Sequence, residues 1–130
     1  MKSKNPLRDK SFAFSVKVAR LCIEIQKKHK EFVLSRQLLK AATSIGANVE
    51  EAIGGHSDRD FYYKITIAHR EARESNYWIR LLGELELFNQ NTTKQLLEDI
   101  SELIKLSGSI QKTMRLKLEK KEESSAESLR

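Results

Sequence analysis

Two pairs of polar residues stand where helical spacing would place apolar ones. Glu71 and Glu74 lie three residues apart inside an otherwise apolar rhythm, and Asn48 and Glu51 lie three apart at the edge of another. Residues at that interval share a helix face, which is how di-metal helical bundles present their carboxylates. Such bundles complete the set with a His three residues after a Glu, in Glu-x-x-His pairs on facing helices. None of His29, His56 and His69 follows a Glu at that interval, so the sequence offers no metal site and no cofactor site. Nor does it offer a catalytic residue. There is no G-x-S-x-G elbow and no phosphate loop, and Gly54-Gly55 alone is a turn signal. The chain therefore reads as a non-enzyme.

A structural role suits these side chains better. Desolvating an unpaired carboxylate costs several kcal/mol, so a Glu in an apolar seam needs a basic or amide partner. Closing a hairpin about Gly55 is expected to bring Glu71 near Lys40 and Glu74 near Gln37 or Arg36. Asn48 and Glu51 read as further polar ties. Ties of this kind add little net stability but fix register and choice of partner.

The elements that must carry these residues are helical. A chain of 130 residues is long enough for one core and short for two. Its five Gly and one Pro are too few for the many turns of a sandwich or barrel. Asn5-Pro6 opens a first helix, about 6–30, with apolar residues at Phe14, Val18, Leu21, Cys22 and Ile25 and a flanking row of Phe12, Val16, Ala19 and Ile23. A second, about 34–53, stops at Gly54 and Gly55, where positive φ is expected. Ser57 caps a third, about 58–88, and Thr92 with Gln95 forms a capping box for a fourth, about 92–118. Residues 119–130 are polar and of mixed charge and read as a disordered tail. Short links between amphipathic helices make neighbours antiparallel, which predicts an all-α fold, an antiparallel up-down-up-down four-helix bundle. In the second helix, Ala41, Ala42, Thr43, Ser44, Gly46 and Ala47 are short enough to let its backbone approach a neighbour closely.

The third helix has a second stripe: Ile67, Glu71, Glu74, Trp78, Leu81, Leu85 and Phe88, spaced by four and three like a heptad seam. One bundle core covers one face of a helix. A second apolar face marks a partner surface, and these residues are the candidate oligomer interface. The net charge of +6 and a pI near 9.5 permit a polyanion partner. The alternative function is accordingly a nucleic-acid-binding module, contacting phosphate through Lys27, Lys28 and Lys30 and through Arg70, Arg73 and Arg80, with the N-terminal Lys2, Lys4, Arg8 and Lys10 beside them. No base-reading module or aromatic stacking platform is evident in the sequence. A lone Cys22 among apolar neighbours, with neither a leader-like segment nor a membrane span, places the chain in the cytoplasm.

The run Ser44-Ile45-Gly46-Ala47-Asn48-Val49-Glu50-Glu51-Ala52, then Ser57 and Phe61, then Ile67-Ala68, Glu71-Ala72-Arg73-Glu74 and Tyr77-Trp78-Ile79-Arg80-Leu81-Leu82 together resemble one family, the bacterial four-helix-bundle proteins encoded in 23S ribosomal RNA intervening sequences. The resemblance spans about Phe12 to Met114. It implies a bundle that assembles with itself, typically as a homopentamer, with no established catalytic activity. Many family members carry proline where this chain has Gly46. A more distant similarity, architectural only, is to the accessory protein of diversity-generating retroelements, a basic pentameric bundle that engages a reverse transcriptase and nucleic acid.

Overall fold

Capping chemistry and apolar periodicity account for each element in turn. The computed structural model describes residues 4–129, and these form helices without a strand. Helix α1 (Pro6–His29) starts where Asn5 Oδ1 accepts the Arg8 N–H at 3.0 Å and Pro6 fills a position that needs no donor. It ends at Lys30, in the left-handed region with φ 54°. Helix α2 (Val33–Ile53) is capped from two residues upstream. The Glu31 carboxylate accepts the N–H groups of Val33, Leu34 and Ser35 at 2.8–2.9 Å. Burial alone would raise that carboxyl, but the hydrogen bonds from Leu34, Ser35 and Val33 hold it below its ordinary value. Helix α3 (Asp58–Glu84) begins at Ser57, whose hydroxyl accepts the Asp60 N–H at 3.1 Å, with Asp58 and Asp60 facing the positive dipole end. Helix α4 (Gln90–Ser128) begins at Asn89, whose Oδ1 accepts the Thr92 N–H at 2.8 Å.

Several boundaries differ from the sequence reading. The third helix stops before Phe88: Glu86 adopts φ 62°, and the Leu87 and Phe88 N–H groups both turn back onto the Leu82 carbonyl. Phe88 then folds into the open end of the bundle, 4% exposed. Asn89 rather than Thr92 caps α4, so the expected capping box gives way to a cap three residues earlier. Neither Gly54 nor Gly55 has positive φ. What Gly55 provides is room, because a Cβ there would lie 2.5 Å from Asp60 Oδ2. The fourth helix also runs far past Leu118, through the stretch read as a disordered tail. Lys- and Glu-rich sequence favours helix, and the first turn of α3 steadies this segment: Asp58 accepts Lys117 at 3.3 Å and also Lys121, while Arg59 meets Glu122 at 3.4 Å.

Cross-helix pairs fix the topology. Between α1 and α2, Arg8 meets Glu50 at 2.8 Å, the Ser15 hydroxyl donates to the Ala42 carbonyl at 3.4 Å and the Gln26 amide donates to the Ser35 hydroxyl at 3.1 Å, so the two chains run in opposite senses. Glu51–Lys64 at 2.7 Å ties α2 to α3, Gln111–Thr66 at 3.3 Å ties α4 to α3, and Lys17–Asp99 at 2.8 Å closes α4 back on α1. Among the described residues the diagonal pairs, α1 with α3 and α2 with α4, make no close approach. The result is a four-helix bundle in the expected cyclic order.

Its core holds Val18, Cys22, Leu38, Ile45, Ile65, Ile79, Leu82 and Ile100, each essentially sealed from water. Four serines are buried with them, Ser11, Ser35, Ser75 and Ser107. The Ser35, Ser75 and Ser107 hydroxyls donate to the carbonyl four residues earlier, and that of Ser11 to the carbonyl three earlier, so polar atoms enter the core already satisfied. The small-residue run of α2 divides. Ala41, Ala42 and Ile45 face inward, and a Cβ on Gly46 would lie 3.2 Å from Ser15 Oγ, so α1 and α2 are in close contact there. Thr43 and Ala47 are exposed and face no helix of this chain. The Cys22 thiol is pushed up to about 12 by burial and then by the Glu31 charge, which leaves it a core residue without nucleophilic character.

Candidate functional site

Around α3, burial falls in steps. One stripe, Ile65, Ala68, Ala72, Ser75, Ile79 and Leu82, is fully inside. On the α2 side lies the predicted seam, and its members are not equivalent. Ile67, Glu71, Trp78 and Leu81 are half-buried, Glu74 is exposed and Leu85 is 52% exposed. Phe88 belongs to the core and leaves the candidate interface, because the chain reverses at Glu86 before reaching it.

The two seam acids find each other rather than a base. The Glu71 carboxyl is raised by burial first, then by the charge of Glu74 and a hydrogen bond to it, against smaller opposing effects of Arg70 and Lys40. Lys40 is within electrostatic reach, as the hairpin expectation required, but no ion pair forms. Glu74 bonds neither Gln37 nor Arg36 among the described residues; its Oε1 accepts the Trp78 indole N–H at 3.2 Å. The other expected ties resolve differently. Glu51 reaches Lys64 across α2 and α3 and holds that ammonium above its ordinary value. Asn48 bonds only within its own helix, donating to the Ser44 carbonyl at 2.8 Å and to its hydroxyl at 3.1 Å.

The six candidate phosphate contacts, Lys27, Lys28, Lys30, Arg70, Arg73 and Arg80, are all exposed. Lys2 lies outside the described residues. Arg80 donates to Asn76 at 2.9 Å and places its guanidinium 5.9 Å from the Tyr77 ring. Tyr77 is 50% exposed and Tyr63 60% exposed, with Lys64 5.9 Å over the latter ring. Sequence reading missed this row. Tyr63, Arg70 and Tyr77 recur at seven-residue spacing on the outward side of α3, so two aromatic rings do accompany the arginines.

His69 does not stand on the open solvent side of α3. It is half-buried against α4, with Nδ1 3.0 Å from the Ser107 hydroxyl. Desolvation, then the Arg73 charge, lowers its proton affinity against an opposing hydrogen bond to the Ile104 backbone. Ser107 itself is fully buried, so this pair bonds α3 to α4 and offers no exposed nucleophile. A hollow of 1530 Å³ is an open groove between the end of α3 and the start of α4, bordered by Tyr77, Leu81 and Leu97 and by charges of both signs. Among the described residues no three His, Cys, Asp or Glu gather to hold a metal ion, and no helix is long and apolar enough to cross a membrane.

A helical bundle with a half-covered second face on one helix defines a class by architecture. The model of the 23S rRNA-intervening sequence protein family matches residues 4–109, and the chain belongs to that family. A comparison with curated proteins finds no match. Among solved structures the chain is similar to the crystal structure of a protein of unknown function from the S23 ribosomal protein family of Bacteroides thetaiotaomicron, with a TM-score of 0.79 and 40% identity over 82% of this chain and 98% of that one.

Proposed function

We propose that this protein is a non-enzymatic scaffold that works as an assembly of identical chains, five in the form that the sequence resemblance implies, and that the α3 seam is a subunit interface. One observation carries the reading. Beyond the sealed inner stripe, the seam leaves Trp78 and Leu81 partly exposed and Leu85 52% exposed, and its two carboxylates form no ion pair among the described residues. Apolar surface gains about 25 cal/mol per Å² on leaving water, and a contiguous patch of this kind fits a protein partner. Leu85→Glu is the cleanest test, because that side chain takes little part in the bundle itself. Sedimentation velocity at micromolar concentration should show wild-type assemblies that the variant loosens. A wild-type protein sedimenting as a single chain would overturn the proposal.

A second reading, a nucleic-acid-binding module, is favoured by the outward row of α3. Exposed Tyr63 and Tyr77 alternate with Arg70, and Arg73 and Arg80 stand alongside. Rings offer stacking to unpaired bases and guanidinium groups meet phosphate. Electrophoretic mobility with single-stranded RNA and DNA across a salt series tests it: binding that weakens steeply with salt and is lost in Arg70→Ala/Arg73→Ala supports it, and no shift at low salt removes it.

A further inference from the structure

The helix farthest from the seam carries a second uncovered face. On α1, Phe12, Val16 and Ile23 are 66%, 37% and 49% exposed. With Ala19 they fall at intervals of four, three and four, one continuous stripe on a helix. This row is distinct from the buried Phe14, Val18, Cys22 and Ile25, so it is apolar surface that the bundle leaves outside. Beside it, between Val16 and Ile23, stands Arg20, exposed and without an ion pair among the described residues.

We infer that this α1 face receives the α3 seam of a second copy of the chain, with Arg20 supplying an ion-pair partner for Glu71 and Glu74. The inference rests on the assembly reading and names its missing half. The two stripes are matched in layout. That of α1 runs Phe12 and Val16, then Arg20, then Ile23; that of α3 runs Ile67, then Glu71 and Glu74, then Trp78 and Leu81. Each has charge between apolar groups, so a register exists in which Arg20 meets the two acids while apolar groups meet on either side.

Charge also decides between partners of the same kind. Pairing α1 with α1 would set Arg20 against Arg20, and pairing seam with seam would gather four carboxylates; like charges in contact oppose both. The heterologous pairing is the one left. Both stripes flank α2: α1 touches it through Arg8, Ser15 and Gln26, and α3 through Lys64 beside the seam. The faces therefore occupy adjacent sides of the bundle rather than opposite ones. Head-to-tail contacts between adjacent sides turn at each step, and they close into a ring where those turns sum to a full circle, with the exposed Lys40, Thr43 and Ala47 of α2 toward its axis.

A charge-swap series tests this. Sedimentation velocity would be run on the wild type, Arg20→Glu, Glu74→Arg and the double variant, with circular dichroism to confirm equal helix content. Each single variant is expected to weaken assembly about tenfold or more, the scale of a close interfacial charge pair. The double variant should recover it. An equimolar mixture of the two single variants should recover it in part, because the R20E face complements the E74R seam and the unaltered Arg20 complements the unaltered Glu74, while alternation cannot run unbroken around a ring of five. If the wild type assembles but the single variants assemble equally well, or the double variant does no better than the singles, this contact is wrong while the assembly reading stands. If the wild type does not assemble at all, both fall together.

Discussion

The inner stripe and the outer seam of α3 occupy the same helix and are built from similar residues, yet only one is finished by the chain itself. Ile65, Ala68, Ala72, Ser75, Ile79 and Leu82 face the bundle core and are sealed, and even the buried serine hydroxyl is satisfied by its own backbone. Trp78 and Leu81, roughly a quarter-turn or more away, are only partly buried, and Leu85 is 52% exposed. Apolar character therefore does not distinguish the core from the candidate interface here. What distinguishes them is the charge among the apolar groups: the core holds a neutral hydroxyl bonded to its own helix, and the seam holds two acids that form no ion pair among the described residues.

The contrast is sharpest if the inner stripe is damaged first. Ile79→Ala should lower unfolding stability by about 2–5 kcal/mol in urea titration, as expected for a cavity in a packed core. A loss under about 1 kcal/mol would mean that the stripe is less tightly packed than its burial indicates. Next in size is a contact remote from both stripes. Glu31→Gln removes the charge that anchors the start of α2 and should cost about 1 kcal/mol at neutral pH. Because the Glu31 carboxyl is held below its ordinary value of 4.5, its contribution is present above that pH and is lost as pH falls through the lowered value; the variant should show a flatter acid limb.

Smaller still for the folded chain, Leu85→Glu should change unfolding stability by about 0.5 kcal/mol or less when measured in dilute solution, while still loosening assembly at high concentration. A large loss in the dilute chain would merge the seam with the core and break the comparison. The slightest effect belongs to Glu71→Gln, again in dilute solution. The Glu71 carboxyl is raised above 4.5, so its favourable neutral form is fully present below that pH and is lost as pH rises through the shifted value. Removing the titration should flatten that part of the pH–stability curve.

Much of the architecture was legible because periodicity and caps are local. Asn5 with Pro6, Ser57 with its following aspartates and the inner stripes each declare themselves within a few residues. What escaped depended on distant contacts. Nothing near Glu86 announces a left-handed residue, so the reversal that sends Phe88 inward was read as more helix. The charged end of α4 looks disordered until Asp58 and Arg59 are placed beside it. His69 looks solvent-facing until Ser107 arrives from the neighbouring helix. In the candidate site, the seam was found by its spacing, but the partners of its acids were sought inside the hairpin, where Lys40 comes near without bonding.

One feature of α4 reaches beyond the bundle. This helix has 39 residues against 27 in α3, an excess of about 18 Å at 1.5 Å per residue. From Glu119 to Leu129 every side chain is exposed, and ion pairs to the start of α3 hold the base of this rod. Such a rod can melt locally without opening any apolar contact. A protease should trim it while leaving the rest intact, and high ionic strength, which screens the pairs at its root, should hasten the cut.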